Sequence, residues 1–161
     1  MPAPVVSNAS VQACGVVCVC GKSHTSAVPN GSLAANEGAK SGHTLTKHVL
    51  KEPPAKKAQL DKRLEDEPNL KAASTYDSEI QAEHAVNDTL EANSEEVKSW
   101  LASDAKTNLP LKGPLDGGQV RVKGTKGQVF SRKGNTAIVV LKKDATKPDG
   151  YIVLTSYPTL G

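Results

Sequence analysis

Residues 119–157 read QVRVKGTKGQVFSRKGNTAIVVLKKDATKPDGYIVLTSY, and their period decides the fold. Four runs, Gln119–Lys123, Gln128–Ser131, Thr136–Lys142 and Tyr151–Tyr157, have the two-residue texture of strands. Gly124–Gly127, Gly134-Asn135 and Asp144–Gly150 lie between them and supply the turns. Connections this short join antiparallel neighbours, because a parallel crossover needs about a dozen residues or more. The segment is therefore predicted to be an antiparallel meander. Pro110 and Pro114, just upstream, mark the change of period.

Before those prolines the spacing is helical. Leu45 and Val49 lie four apart, as do Leu60 and Leu64, and each pair marks the buried stripe of a short helix. Pro53-Pro54 is expected to separate these two helices, and Pro68 follows the second. Ser78-x-x-Gln81 has the form of a capping box. Ala82, Ala85, Val86, Thr89 and Leu90 then share one helical face, and Asn93 starts a further segment with Val97, Trp100 and Leu101. Helices first and strands later predict an α+β domain, its N-terminal helices packed on an antiparallel β-sheet. Residues 1–40, rich in Ala, Ser, Gly and Asn, read as a linker or the remnant of a preceding delivery region, leaving 41–161 as the domain.

Composition narrows the function classes. Aromatic residues are only 3% of the chain, so the core must be aliphatic. No apolar run is long enough to span a bilayer, and no signal peptide is visible at the N-terminus. Charge is segregated along the chain. Residues 40–63 hold seven basic and two acidic side chains, 77–104 one basic and eight acidic, and 106–161 ten basic and three acidic. Two basic blocks around an acidic one suit a polyanion, although solvated faces of small domains are also lopsided. Cys14, Cys18 and Cys20, with His24, offer four zinc-ligand types, but at a spacing unlike a zinc knuckle; free thiols on a tail are the expectation.

There is no phosphate-binding loop, no H-E-x-x-H and no G-x-S-x-G, and the carboxylates lie mostly on the acidic helices. Neither a cofactor nor a metal is expected. What remains is histidine, arginine and hydroxyl chemistry. His48 borders the first helical stripe, Arg63 borders the second, and Thr155 and Tyr157 share one face of the last strand. A histidine exchanges protons near neutral pH, and an arginine binds a phosphoryl group in a bidentate manner. Taken alone, this assembly is a weak signal, because a histidine at a helix edge is more often structural.

Gly42-His43-Thr44-Leu45-Thr46-Lys47-His48-Val49, Asp61-Lys62-Arg63-Leu64 and Ala72-Ala73-Ser74-Thr75-Tyr76 together form a longer pattern, with Ser99-Trp100-Leu101 and Tyr151–Pro158. This pattern resembles the bacterial ribonuclease A-like toxin domains at the C-termini of contact-dependent growth-inhibition (CDI) effectors. The resemblance implies a fold like pancreatic ribonuclease without its disulfides, which agrees with the lack of cysteine after Cys20. It implies a catalytic set of His48, Arg63, Thr155 and Tyr157, with His43 and Lys47 contacting RNA. The fifteen residues from His48 to Arg63 exceed the spacing expected for the family, and Glu52–Lys56 looks like an insertion. Implied partners are an RNA substrate and a cognate immunity protein. The implied setting is export within a larger effector and action in the cytoplasm of a target bacterium. Phe130 and Tyr76 are the expected additional base-stacking platforms. The alternatives are a non-catalytic RNA-binding module and a secreted interaction module.

Overall fold

The computed structural model describes residues 27–38, 42–50 and 53–161, with side chains from 57 onward in the last segment. Cys14, Cys18, Cys20 and His24 lie outside the described residues. Two 3-10 turns, Pro29–Gly31 and Ala34–Asn36, precede α1 (Thr44–His48) and α2 (Pro53–Asp66). Then come β1 (Ala72–Thr75), α3 (Glu79–Ala92), α4 (Ser94–Ala102) and β2 (Leu109–Pro114). The chain closes with β3 (Gln119–Lys123), β4 (Val129–Lys133), β5 (Thr136–Lys143) and β6 (Tyr151–Thr159). The fold is α+β, as the change of period indicates. Among the described residues, no helix is long and apolar enough to cross a membrane.

The expected single meander is instead two antiparallel three-stranded sheets, in the orders β1-β3-β4 and β2-β5-β6. Two strands absent from the sequence reading account for the difference. Pro110 and Pro114 do not precede the sheet but lie within β2, at the edge of its sheet. An edge strand tolerates prolines because one side of its backbone needs no ladder donors. β1 is only four residues long, too short for its period to show. The two helices are separate, as expected, and Pro53-Pro54 marks their boundary by opening α2, where the missing N–H groups would have lacked intrahelical partners in any case.

Each sheet buries one face under helices. Ala82, Ala85, Val86 and Leu90 of α3, with Val97 and Trp100 of α4, form the main core with Leu111, Val139, Leu141 and Val153. α3 can approach β2 closely because position 113 is glycine; a Cβ there would collide with Thr89 Oγ1. A smaller core joins Leu60 and Leu64 of α2 to Ala73 of β1. α2 is fixed to that sheet by Arg121, whose Nε and Nη2 donate to the Asp61 carboxylate at 2.7 and 3.1 Å. At its C-terminal end, Lys123 Nζ donates to the Leu64 carbonyl at 3.0 Å, a favourable site for a cation. β6 also packs against β1 and β3 and so ties the two sheets together.

Ala27–Gly38, part of the expected linker, lies on the domain. Leu33 is fully buried and Val28 nearly so, both in the main core. Asn36 Oδ1 accepts from Val153 N at 3.0 Å, and Glu37 accepts from Leu45 N and Thr46 N at 3.1 and 2.7 Å. Glu37 thereby satisfies two amides of the first turn of α1, where a carboxylate is favourable. Truncating a buried leucine to alanine costs about 2–5 kcal/mol. Leu33→Ala should therefore lower the unfolding free energy by about that amount in urea titrations, and a chain begun at Gly42 should lose at least as much. A change below about 0.5 kcal/mol in both would make Ala27–Gly38 a dispensable tether.

Candidate active site

α1 ends in His48, and the end of β1 clamps that residue. Tyr76 N donates to the His48 carbonyl at 2.7 Å, and Thr75 Oγ1 lies 3.1 Å from the same oxygen. The imidazole is 5% exposed, and its Nδ1 lies 3.3 Å from the Ser74 carbonyl. A carbonyl can only accept, so Nδ1 carries the proton and Nε2 is left as the ring's acceptor. The His48 pKa is lowered to about 4, chiefly by burial, against the opposing Ser74 hydrogen bond and with smaller lowering contributions from Arg63, His43 and Lys47. Desolvation dominates because it penalises the imidazolium. The ring is neutral at physiological pH.

β6 supplies the facing wall. Tyr157 places its ring 5.3 Å from the His48 ring, tilted by 39°. Thr155, two residues earlier on the same face, has a buried Oγ1 with no hydrogen-bond partner among the described residues. An unmet buried hydroxyl costs about 1–3 kcal/mol, and such sites need a reason. A bulge explains the orientation of this strand. Val140 pairs with Thr155 and Leu141 with Val153, so Leu154 is the extra residue. Its carbonyl accepts instead from His43 N at 2.9 Å, which anchors the start of α1 to the strand. Bulges characteristically re-aim side chains beside active sites.

His43, His48, Arg63, Ser74, Thr155 and Tyr157 all border one cleft of about 380 Å³. The structure thus brings together the four residues singled out for chemistry, and His43 with them; the His43 and His48 rings are 6.0 Å apart. Arg63 is half-buried, and its Nε donates to Glu67 Oε1 at 2.9 Å. Lys47 turns out of this cleft and lines a neighbouring one. Lys71 adds positive charge to the wall, and among the described lining residues there is no carboxylate. Nor do the described residues contain any cluster of three His, Cys, Asp or Glu that could hold a metal ion. The arrangement offers a neutral base, a guanidinium and two hydroxyls in a positive cleft, which is a set suited to an anionic ester.

A larger groove of about 610 Å³ runs along α3 beside Ile80, Asp88 and Asp116. Its acidic wall would repel a polyanion, and the buried imidazole is not there. Of the two expected stacking platforms, Tyr76 is corrected: it is completely buried, with its hydroxyl 2.6 Å from Ser156 Oγ. Phe130 is 40% exposed, with the Arg132 guanidinium 5.3 Å from its ring centroid. His84 is exposed on α3. Sequence reasoning gave no role to Ser74, Thr75, Glu37 or Glu67. The first acts through a backbone carbonyl, which leaves no signature in a side-chain pattern.

Comparison with known proteins identifies the family. The chain matches the family described as the bacterial CdiA-CT RNAse A domain over residues 42–158. It is also similar to the CdiA-CT/CdiI complex crystal structure from Y. kristensenii 33638. That match has 25% identity and a TM-score of 0.61, and covers 73% of this chain and 99% of the other. No curated protein matches it. With the family pattern extending from the start of α1 to the end of β6, the chain belongs to the bacterial CdiA-CT RNase A domain family.

Proposed function

We propose that this domain is a CDI toxin that cuts RNA without a metal ion, by attack of a ribose 2′-hydroxyl on the adjacent phosphorus. The observation that carries the reading is His48, neutral and fixed by Ser74 in a positive cleft beside Arg63, Thr155 and Tyr157. Nε2 takes the proton of the 2′-hydroxyl. The O2′–P bond forms and the P–O5′ bond breaks, leaving a 2′,3′-cyclic phosphate and a 5′-hydroxyl. Arg63 stabilises the charge that accumulates on the pentavalent phosphorus, where fixed donors are most effective. Thr155 donates to a non-bridging oxygen, and Tyr157 supplies the proton for O5′. His43, inside the cleft, and Lys47, beside it, hold flanking phosphates. The toxin would be exported as part of a larger effector and would act in the cytoplasm of the target bacterium.

RNA incubated with the protein in excess EDTA should be cut to 2′,3′-cyclic phosphate ends, and His48→Ala should cut about 100- to 10,000-fold more slowly. RNA that is bound but left intact by the unmodified chain would favour a non-catalytic binding module. Cleavage lost in EDTA and restored by magnesium would overturn the metal-free mechanism.

The pH dependence has a definite sign. A base works only when unprotonated, so activity falls as pH drops through its pKa. With His48 lowered to about 4, kcat/KM at pH 5.5 should still be close to its value at pH 6.5 on the acid side of the profile. A histidine at its ordinary value of about 6.5 would be ~90% protonated at pH 5.5 and would lose most of that rate. Initial rates across pH 4–7 distinguish the two outcomes.

The CdiI partner in the similar complex supports a cognate immunity protein for this chain as well. Arg63 and Lys71 make the cleft positive, so an inhibitor that fills it presents carboxylates. Its association rate should fall about tenfold or more between low and physiological salt. An association rate indifferent to salt, with RNA still able to bind the complex, would place the partner on another face.

A further inference from the structure

Lys47 and His48 are consecutive on α1, and residues one apart on a helix point about 100° away from each other. His48 lines the cleft described above, whereas Lys47 lines a second cleft of about 270 Å³. Arg63 borders both, so the two clefts meet at one guanidinium. Its Nε is held by Glu67, while its Nη groups have no partner among the described residues. The second cleft has apolar material in Leu50 and Leu60, a cation in Lys47 and an exposed amide in Gln59.

We propose that this second cleft is a nucleotide subsite: in single-stranded RNA it takes the nucleotide one step beyond the two that the scissile phosphate joins, across Arg63 from His48. The inference rests on the ribonuclease reading and extends it to substrate recognition. A chain whose scissile phosphate lies against His48 and Arg63 continues over the guanidinium into the neighbouring space. Leu50, partly exposed there over the buried Leu60, covers one side of a base, and Lys47 pairs with the phosphate that joins that nucleotide to the chain. Gln59 carries both a donor and an acceptor, the combination that reads a base edge. Thr46 and Glu67 also border this cleft, but the Thr46 hydroxyl already donates to Glu37 Oε1 at 2.7 Å. Glu67 already accepts from Arg63 Nε at 2.9 Å and, as a carboxylate, can only accept, so Gln59 is the side chain that discriminates.

The test uses the full chain with a dinucleotide and two trinucleotides, one extended at the 5′ end and one at the 3′ end. The unmodified protein should cut one of the two trinucleotides about tenfold or more faster than the dinucleotide in kcat/KM, the effect of about one or two added hydrogen bonds. Gln59→Ala should reduce that trinucleotide-to-dinucleotide ratio about tenfold. Gln59 is exposed on α2 and alanine is a strong helix former, so this variant should fold. A ratio that is the same in the variant and the unmodified chain, or that is close to one in both, overturns the subsite while leaving the ribonuclease reading intact. No cleavage of any of the three by the unmodified chain overturns that reading, and the subsite with it.

Discussion

The contact between His48 Nδ1 and the Ser74 carbonyl, 3.3 Å long and shut away from water, is the constraint around which the site is arranged. It chooses the tautomer, and its burial chooses the protonation state. A buried imidazolium would have to be stabilised by a carboxylate, and the described walls of this cleft hold none. The surrounding charges are positive and act in the same direction as desolvation. A ring that stays neutral can accept a proton, whereas one paired with an acid would begin life already charged. The same positive charges that keep His48 neutral also attract a phosphodiester. Substrate affinity and base readiness therefore share one cause.

Holding the ring requires three segments to meet from distant parts of the sequence. Glu37 closes the open amides of α1 from before the helix, and β1 grips the His48 carbonyl from behind. The bulge at Leu154 ties the start of α1 to β6, so Thr155 and Tyr157 move with the histidine rather than independently of it. α2 depends on a different tie, the Arg121–Asp61 pair, to keep Arg63 at the cleft. Removing one partner of such a mostly buried pair costs about 3–5 kcal/mol, so the sheet that carries none of the four proposed catalytic side chains still sets the position of the guanidinium.

Much of this was legible in the sequence, for identifiable reasons. β3, β5 and β6 showed themselves because a half-buried strand forces alternation over five or more residues, and α3 because its five core positions repeat at helical spacing. Their places beside the apolar pairs and on one strand face only singled out His48, Arg63, Thr155 and Tyr157; it was the resemblance to the toxin family that implied they form a catalytic set. β1 and β2 were missed: one is too short for a period, and the other contains prolines that are ordinary only because it is an edge. Ala27–Gly38 read as linker because it is rich in Ala, Ser, Gly and Asn and has little charge. Leu33, Asn36 and Glu37 nevertheless make specific long-range contacts that no local pattern encodes. Tyr76 was misjudged for a related reason: an aromatic beside a basic block suggests stacking, but its neighbours in space are Ser156 and the core.

The account stands on the state of one imidazole. Nitrogen-15 NMR of the histidine side chains, followed from pH 7 downward with His48→Asn to assign the signals, reads that state directly. The expected result is a neutral ring at pH 7 with its proton on Nδ1, titrating well below the ordinary histidine range. A His48 that is doubly protonated near pH 6.5, or one that carries its proton on Nε2, would contradict it, since neither ring presents a base to the cleft.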